Sequence, residues 1–597
     1  MRKYAYAALI GVGFGLSAAE VRAQDAGIRS EYHQTWNPDS RPEFITVTRS
    51  TITSSSRAGA DIDATADLTI DSSYIQGSTA VHLAGSTRTV ISGSTLAATV
   101  SVSNVLLSTR MCSDLSLTSS TLIGGAQGGG VWLHEGNRGL FLIATNTIQG
   151  VRYGIHASSQ QAETKVYITS NTILGTLSTA NDTYGIHING LTTGATIQQN
   201  NIYFRTSGSA NGRTAYGLYA NTANGLVIAH NRVNMPDMIN ASGGSFEAAS
   251  FYDVDGSSFI YNDIHAVTSR ADLVNLYGLR LEAGSQYNTI KNNVFLASFT
   301  VTGASATVKV SADSQTGFYS DYNDFFSSGT TSGQGVKNSA VWGTAACGLP
   351  EWTNCGNGQD AHSIAEHPYW AGTAAGSEDF HPRTEYLNGR FNPATGSFDQ
   401  TDTVMSLTID AADPDDPYAA ELSPNGLRAN QGSYGNTWQA SLSFVIPDVP
   451  ITTTSYVNDD ASAAQLAMRM GYNVTVDRPW YSAVYTHRGG QAGTAYQILV
   501  YEDDSLTDLL WDSGEQAASV ASGARLPSAQ ESAANLLSKN KCYWWQIRFK
   551  AGANAWGNYT TGMLFGYGPT PLRRLRGGSW FCDQGVYMPK TASGPPN

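Results

Sequence analysis

One short motif recurs through the first half of the chain: a polar residue, any residue, then an apolar one. It reads Ser50-Thr51-Ile52, Ser73-Tyr74-Ile75, Ser94-Thr95-Leu96 and Ser120-Thr121-Leu122. It continues as Asn146-Thr147-Ile148, Asn171-Thr172-Ile173, Asn200-Asn201-Ile202 and Asn231-Arg232-Val233, and ends as Asn262-Asp263-Ile264, Asn292-Asn293-Val294 and Asn323-Asp324-Phe325. Successive first positions are 23, 21, 26, 26, 25, 29, 31, 31, 30 and 31 residues apart. A period of this size with one strand-like motif per step marks a solenoid.

The residue pattern selects the kind of solenoid. Segments such as Val166-Tyr167-Ile168 alternate apolar and polar residues, giving a strand with an inner and an outer face, and helical spacing is absent. The expectation is an all-β chain: a right-handed parallel β-helix of about eleven coils with a C-terminal cap, followed by a β-sandwich. Coils one strand spacing apart, about 4.8 Å, give a rod of roughly 50 Å. Ser or Asn at the turn can hydrogen-bond its counterpart in the next coil, and Asn tolerates the left-handed conformation of a tight bend. The columns Asn146, Asn171, Asn200, Asn231, Asn262, Asn292 and Asn323 are therefore read as structural. These motifs resemble the right-handed β-helix repeat proteins of the pectate-lyase-like fold, over about residues 45–330. The resemblance implies the fold; that fold hosts lyases, hydrolases, esterases, adhesins and inert surface proteins, so it implies no single activity.

Residues 1–23 read as a secretory signal peptide: Arg2 and Lys3, an apolar stretch from Tyr4 to Ala19, then Val21-Arg22-Ala23 before Gln24. Residues 24–44 form a lead-in. No later apolar run is long enough to span a membrane, so the expected location is secreted or cell-surface. Export permits a local disulfide between Cys347 and Cys355, two of five cysteines, whose spacing fits no zinc site. The net charge of −13 and the lack of any Lys/Arg cluster argue against a nucleic-acid partner. No motif supports a calcium site, and no cofactor is expected.

The repeat stops near residue 330. Residues 331–445 contain Asp379-Phe380-His381, Ile409-Asp410-Ala411-Ala412-Asp413-Pro414, Pro424-Asn425-Gly426-Leu427-Arg428 and Gly432-Ser433-Tyr434-Gly435-Asn436-Thr437. They resemble the closing segment of secreted bacterial β-helix proteins, with Ala412 and Leu427 replacing glycines of that pattern. A rod needs such a cap over its last open strand edge and core, so Asp410, Asp413 and Arg428 are read as capping residues. After a linker at 446–454, residues 455–567 alternate in Tyr496–Tyr501 and Trp544–Phe549 and resemble a fibronectin type III-like sandwich, with Trp545, Ile547 and Phe549 on the core face. In the tail, 568–597, Leu575-Arg576-Gly577-Gly578-Ser579-Trp580 resembles a fragment of formylglycine-generating-enzyme-like or C-type-lectin-like domains.

The catalytic motifs of enzymes with the β-helix fold are missing: there is no NTD, GHG or RIK, and no pectate-lyase-type Asp cluster. The repeat offers a different lead. Aligned strands read Gly130-Val131-Trp132, Gly154-Ile155-His156, Gly185-Ile186-His187, Gly217-Leu218-Tyr219, Ser250-Phe251-Tyr252 with one gap, Gly278-Leu279-Arg280 and Thr307-Val308-Lys309. The apolar middle residues must face the core, so Trp132, His156, His187, Tyr219, Tyr252, Arg280 and Lys309 must face outward. A second outward column lies two residues on and includes His134, Asn221, Val254 and Glu282. Rings suit sugar faces, and Arg or Lys suits a carboxylate or sulfate. Trp132, His156, Tyr252, Lys309 and Glu282 are thus candidate substrate-binding residues for an extracellular polysaccharide. Lyase chemistry would assign His187 as base, Tyr219 as proton donor and Arg280 as the carboxylate's partner. Hydrolase chemistry needs paired carboxylates, for which Asp253, Asp255 and Glu282 are nearest. Long coils beyond residue 170 imply loops that wall a groove. The function expected is a polysaccharide-binding or adhesive rod; the alternative is a lyase or hydrolase acting on an acidic glycan.

Overall fold

The computed structural model describes Val21–Gln24, Gly27–Ser30, most of residues 44–443, and shorter stretches between 451 and 587; the principal gaps inside the repeats are 100–104, 178–180, 206–212, 236–243, 268–274, 299–304 and 329–338. Of residues 1–23, read as a signal peptide, 1–20 lie outside the described residues and Val21–Ala23 stand in the strand Val21–Gln24. The extra residues of the longer coils that were expected to wall a groove also lie outside the described residues. The chain divides into two units, Met1–Ser443 and Phe444–Asn597.

The repeats of the first unit build three sheets. The first has 14 strands; the second, from Phe44–Thr48 to Tyr319–Asp321, and the third, from Thr51–Thr53 to Asp324–Ser328, have 11 each. The chain visits the second, third and first sheets in turn, and strands from successive coils pair in parallel. This is a right-handed parallel solenoid. Alternation is the cause of the inner face. In Lys165–Thr169, Val166 and Ile168 are buried and Tyr167 is half-buried. Stacked Ile, Leu, Val and Phe from all three sheets fill one continuous core.

The turn from second to third sheet carries the polar ladder. Asn171 Nδ2 donates to Ile143 O at 2.8 Å and to Asn200 Oδ1 at 3.0 Å, and the Asn171 N–H donates to the same Oδ1 at 3.0 Å. Asn146, Asn200, Asn231 and Asn262 repeat this arrangement. Asparagine holds this position in seven turns, at Asn146, Asn171, Asn200, Asn231, Asn262, Asn293 and Asn323. The four N-terminal turn positions are Ser50, Ser73, Ser94 and Ser120; the hydroxyls of Ser73, Ser94 and Ser120 accept the preceding coil's N–H and donate to the carbonyl two residues back, as Ser73 Oγ does to Asp71 O at 2.8 Å.

Two expectations about this column are corrected. Asn293, not Asn292, is the ladder residue: its Oδ1 accepts the Asn262 N–H at 2.9 Å and its Nδ2 donates to Phe259 O at 2.8 Å. The left-handed residue is the one before the ladder position, as at Thr145 (φ 56°), Ser170 (φ 55°), Gln199 (φ 57°) and His230 (φ 55°). Asn292 occupies that left-handed place with φ 58°.

The segment after the repeats has two tasks, where only end-capping was expected. Trp352 and Phe318 close the C-terminal end of the core, beside the disulfide that joins Cys347 and Cys355. Cys112 is buried and unpaired. Residues 370–443 then run back over the third sheet. Trp370 and Phe380 pack with Tyr203, Val294 and Leu296, covering apolar residues that would otherwise face water. Polar contacts fix the seam: Ser433 N donates to Asp263 Oδ2 at 2.9 Å, and Lys291 Nζ lies 3.1 Å from Asp413 and 2.6 Å from Asp416. Arg428 donates to the carbonyls of Ala411 and Ala412, and the Asp410 N–H donates to Asn430 Oδ1 at 2.8 Å.

In the second unit, Ile451–Asn458, Trp480–Thr486 and Ala529–Gln530 form one sheet. Lys541–Ala551, Gly493–Tyr501, Leu509–Asp512 and Met563–Tyr567 lie in another, to which Tyr472–Val474 adds a parallel edge. Trp545, Ile547 and Phe549 are buried with Tyr481 and Tyr485 in a separate core. The strand Ile451–Asn458 begins inside the stretch read as a linker. Of the tail motif, residues 575–579 lie outside the described residues and Trp580 starts a short strand. Among the described residues no helix is long and apolar enough to cross a membrane.

Candidate functional site

The outward column forms on the first sheet. Backbone register aligns Ser108, Trp132, His156, His187, Tyr219, Ser250, Arg280 and Lys309. Six of the seven sequence candidates are therefore neighbours. Tyr252 is not among them: it pairs with Asn221 and Glu282 in the next column, and Ser250 stands in the place assigned to it. The gap allowed in that coil was the error. Phe251 is buried, but it aligns with Ala220 and Leu281, and Ala249 fills the inner place between Leu218 and Leu279. Val254 is likewise buried.

A third outward column was missed. Tyr153, Tyr184, Tyr216, Glu247 and Tyr277 align three residues ahead of the first column. Simple alternation places the intervening glycines outside; instead glycine and the following apolar residue both face in. Gly154 shows why. A Cβ there would lie 2.3 Å from Gly185 O and 2.5 Å from Ile173 Cγ2, so the strand presses onto the third sheet and turns Tyr153 and His156 to one face. The recurring Tyr-Gly-apolar-x of Tyr153, Tyr184, Tyr216 and Tyr277 is the signal that would have found this column.

The two columns interlock. His156 and His187 have ring centroids 4.3 Å apart, Tyr153 and Tyr184 5.0 Å, Tyr184 and Tyr216 5.0 Å, and Tyr184 and His187 4.6 Å, all with interplanar angles of 15° or less. Trp132 stacks between His134 at 4.5 Å and His156 at 4.9 Å, and its Nε1 donates to Ser158 Oγ at 3.3 Å. The parallel array ends at Tyr219, which is tilted 55° from His187 and 44° from Tyr216. Inner rungs thus have their faces against other rings. A sugar would meet ring edges along the array, and Tyr219, beside the small Ser250, breaks the stack.

Burial keeps these groups neutral. It pushes His156 down to about 4 and His187 down to about 3, and raises the phenols of Tyr184, Tyr216 and Tyr219. Both His187 ring nitrogens and His156 Nδ1 are enclosed without a hydrogen-bond partner. A base needs a nitrogen within reach of the proton it takes. His187 does not offer one here, which removes the ground for the role assigned to it.

Beyond Ser250 the rings give way to ions. Arg280 Nη1 lies 2.5 Å from Glu247 Oε1, Arg280 Nη2 bonds Glu282, and Lys309 Nζ lies 2.6 Å from Glu282 Oε1. Arg280 and Lys309 also approach the Tyr277 ring, at 5.3 and 5.5 Å from its centroid. Burial raises the Glu247 carboxyl despite Arg280. For Glu282 burial opposes ionisation, but hydrogen bonds from Arg280 and Lys309 outweigh it and lower the carboxyl. The carboxylates that share Arg280 are these two. Asp253 is exposed, and Asp255 accepts the Gln286 N–H at 2.7 Å, so neither joins Glu282 as the carboxylate pair considered for a hydrolase. At the opposite end of the same sheet, Asp61, Asp63 and His82 hold ligand atoms within 4.8 Å of one another, the described group whose donors suit a cation. His82 Nδ1 already lies 2.9 Å from Asp61.

No curated protein matches the chain. Among solved structures, an α-L-rhamnosidase from Dictyoglumus thermophilum aligns at 15% identity over 21% of this chain and 14% of that chain, with a TM-score of 0.17. The overlap spans a small part of either protein and fixes neither a shared domain nor an activity. Over residues 19–173 the chain matches the family described as right handed beta helix region, in agreement with its parallel stacked sheets.

Proposed function

We propose that this chain is an exported β-helix rod that binds extracellular polysaccharide along the outer face of its first sheet. The observation that supports this is the pair of aligned columns running from Trp132 to Tyr219. A repeating polymer can meet a row of ring edges, with the phenols of Tyr153, Tyr184 and Tyr216 recurring coil after coil at about 4.8 Å. Tyr252, 48% exposed, adds a ring on the same face. Binding is preferred to cleavage because the nitrogens of His187 are enclosed and Arg280 is held by two carboxylates. The test is a panel of polysaccharides scored for retention of the full chain and, separately, for new unsaturated or reducing ends. Retention without new ends is the expected result. New ends abolished by Tyr219→Phe would instead establish a cleaving enzyme.

A further inference from the structure

We infer that the glycan taken by this face is an uncharged one, and that Arg280 and Lys309 hold the sheet's own carboxylates instead of a substrate's. This rests on the polysaccharide-binding reading above. The cations on this face looked from sequence like partners for an acidic sugar. The structure gives each of them a carboxylate. Arg280 bonds both Glu247 and Glu282, Lys309 bonds Glu282, and the four side chains together carry two positive and two negative formal charges. Glu247 is 2% exposed, so releasing Arg280 to a substrate would strand a buried acid. Arg152, at the other end of the ring array, is stacked 4.1 Å over Tyr153 and donates to Asp182 O at 3.3 Å.

The ring array itself is neutral for a different reason. Its imidazoles and phenols are packed ring against ring, and burial opposes both protonation of the former and ionisation of the latter. The phenols exchange hydrogen bonds with hydroxyls, and neither they nor the enclosed imidazoles compensate for desolvating a carboxylate. The chain as a whole carries −13, which repels a polyanion at long range. Hydroxyl-rich, uncharged chains avoid both costs.

The test uses the full chain against immobilised oligomers of β-glucan, mannan and xylan, and against oligogalacturonate and alginate, at 20 and 500 mM NaCl. The expected result is retention on at least one uncharged series that changes less than about twofold with salt, since no counterions are released. Tyr252→Ala, an exposed substitution that leaves the core intact, should weaken that retention by about tenfold, the loss of one ring contact. Salt-sensitive retention on galacturonate or alginate, with none on uncharged oligomers, would overturn the inference and leave the binding reading standing. No retention on any series, from protein shown folded by its melting transition, would overturn both.

Discussion

Asn292 Nδ2 donates to Asp416 Oδ2 at 2.6 Å, so a left-handed turn residue of the solenoid is tied to a segment 124 residues further along the chain. The same Asp416 accepts from Lys291 Nζ at 2.6 Å and from the Tyr261 hydroxyl at 3.0 Å. The returning segment is thus fastened to two successive coils through one carboxylate. Asp416→Ala should lower the stability of the first unit by about 1.5–3 kcal/mol, the range for hydrogen bonds to a charged group. Denaturant unfolding checks this, and faster proteolysis within residues 404–443 should accompany it.

The ladder itself gives a graded prediction. Asn200 is fully buried, and its Oδ1 accepts from both the N–H and the Nδ2 of Asn171. Asn200→Ala leaves those donors and Ile168 O unsatisfied, at about 1–3 kcal/mol for each buried group. Asn200→Ser should cost less, because Ser94 in the same column still accepts the preceding coil's N–H at 3.1 Å. Thermal melts of the two variants should rank in that order.

Most of this architecture was legible because the repeat is a one-dimensional signal: an apolar residue two places after a polar turn, coil after coil. What was not legible came from departures of one residue. Asn292 and Asn293 are chemically identical, and only backbone handedness tells which one faces the ladder. Tyr252 and Ser250 differ by two places, and strict alternation cannot show which is aligned with Tyr219. Tyr153 and its column were hidden because Gly154 lets two consecutive residues point inward. Glu247 and the contacts of Asp416 lie in no motif, since ion pairs across coils or across 124 residues leave no local pattern.

Gly154 therefore controls the site as well as the fold. Gly154→Ala places a methyl within 2.5 Å of Gly185 O and Ile173. The strand must move outward, at about 1–3 kcal/mol for overpacking. Because Tyr153 and His156 flank it, the near-UV circular dichroism of the ring array should change along with the melting temperature.

Buried acids give the first unit a pH dependence. Burial raises Asp263 to about 7, Asp360 to about 6 and Glu421 to about 8. Each is above its unfolded value, so each contributes stability that is fully present below about 4 and is lost as pH rises through the folded value. The melting temperature should fall between pH 5 and 8. Asp263→Asn should flatten part of that slope, and an unchanged slope would show that Asp263 is ionised against Arg232 throughout.

Arg280 offers the sharpest separation between a binding and a structural role. Removing it leaves Glu247 buried with Oε2 already unpartnered. Breaking a buried pair from one side costs about 3–5 kcal/mol, whereas removing both charges is often close to neutral. Arg280→Ala should thus be strongly destabilising, and Arg280→Ala with Glu247→Gln should recover most of the loss. Because the site is partly open, with 26% of the Arg280 side chain exposed, the measured cost should fall at the lower end of that range. Urea unfolding of the two single variants and the double gives the coupling directly. Equal stability of Arg280→Ala and the parent chain would mean that the guanidinium is held loosely enough to meet a substrate.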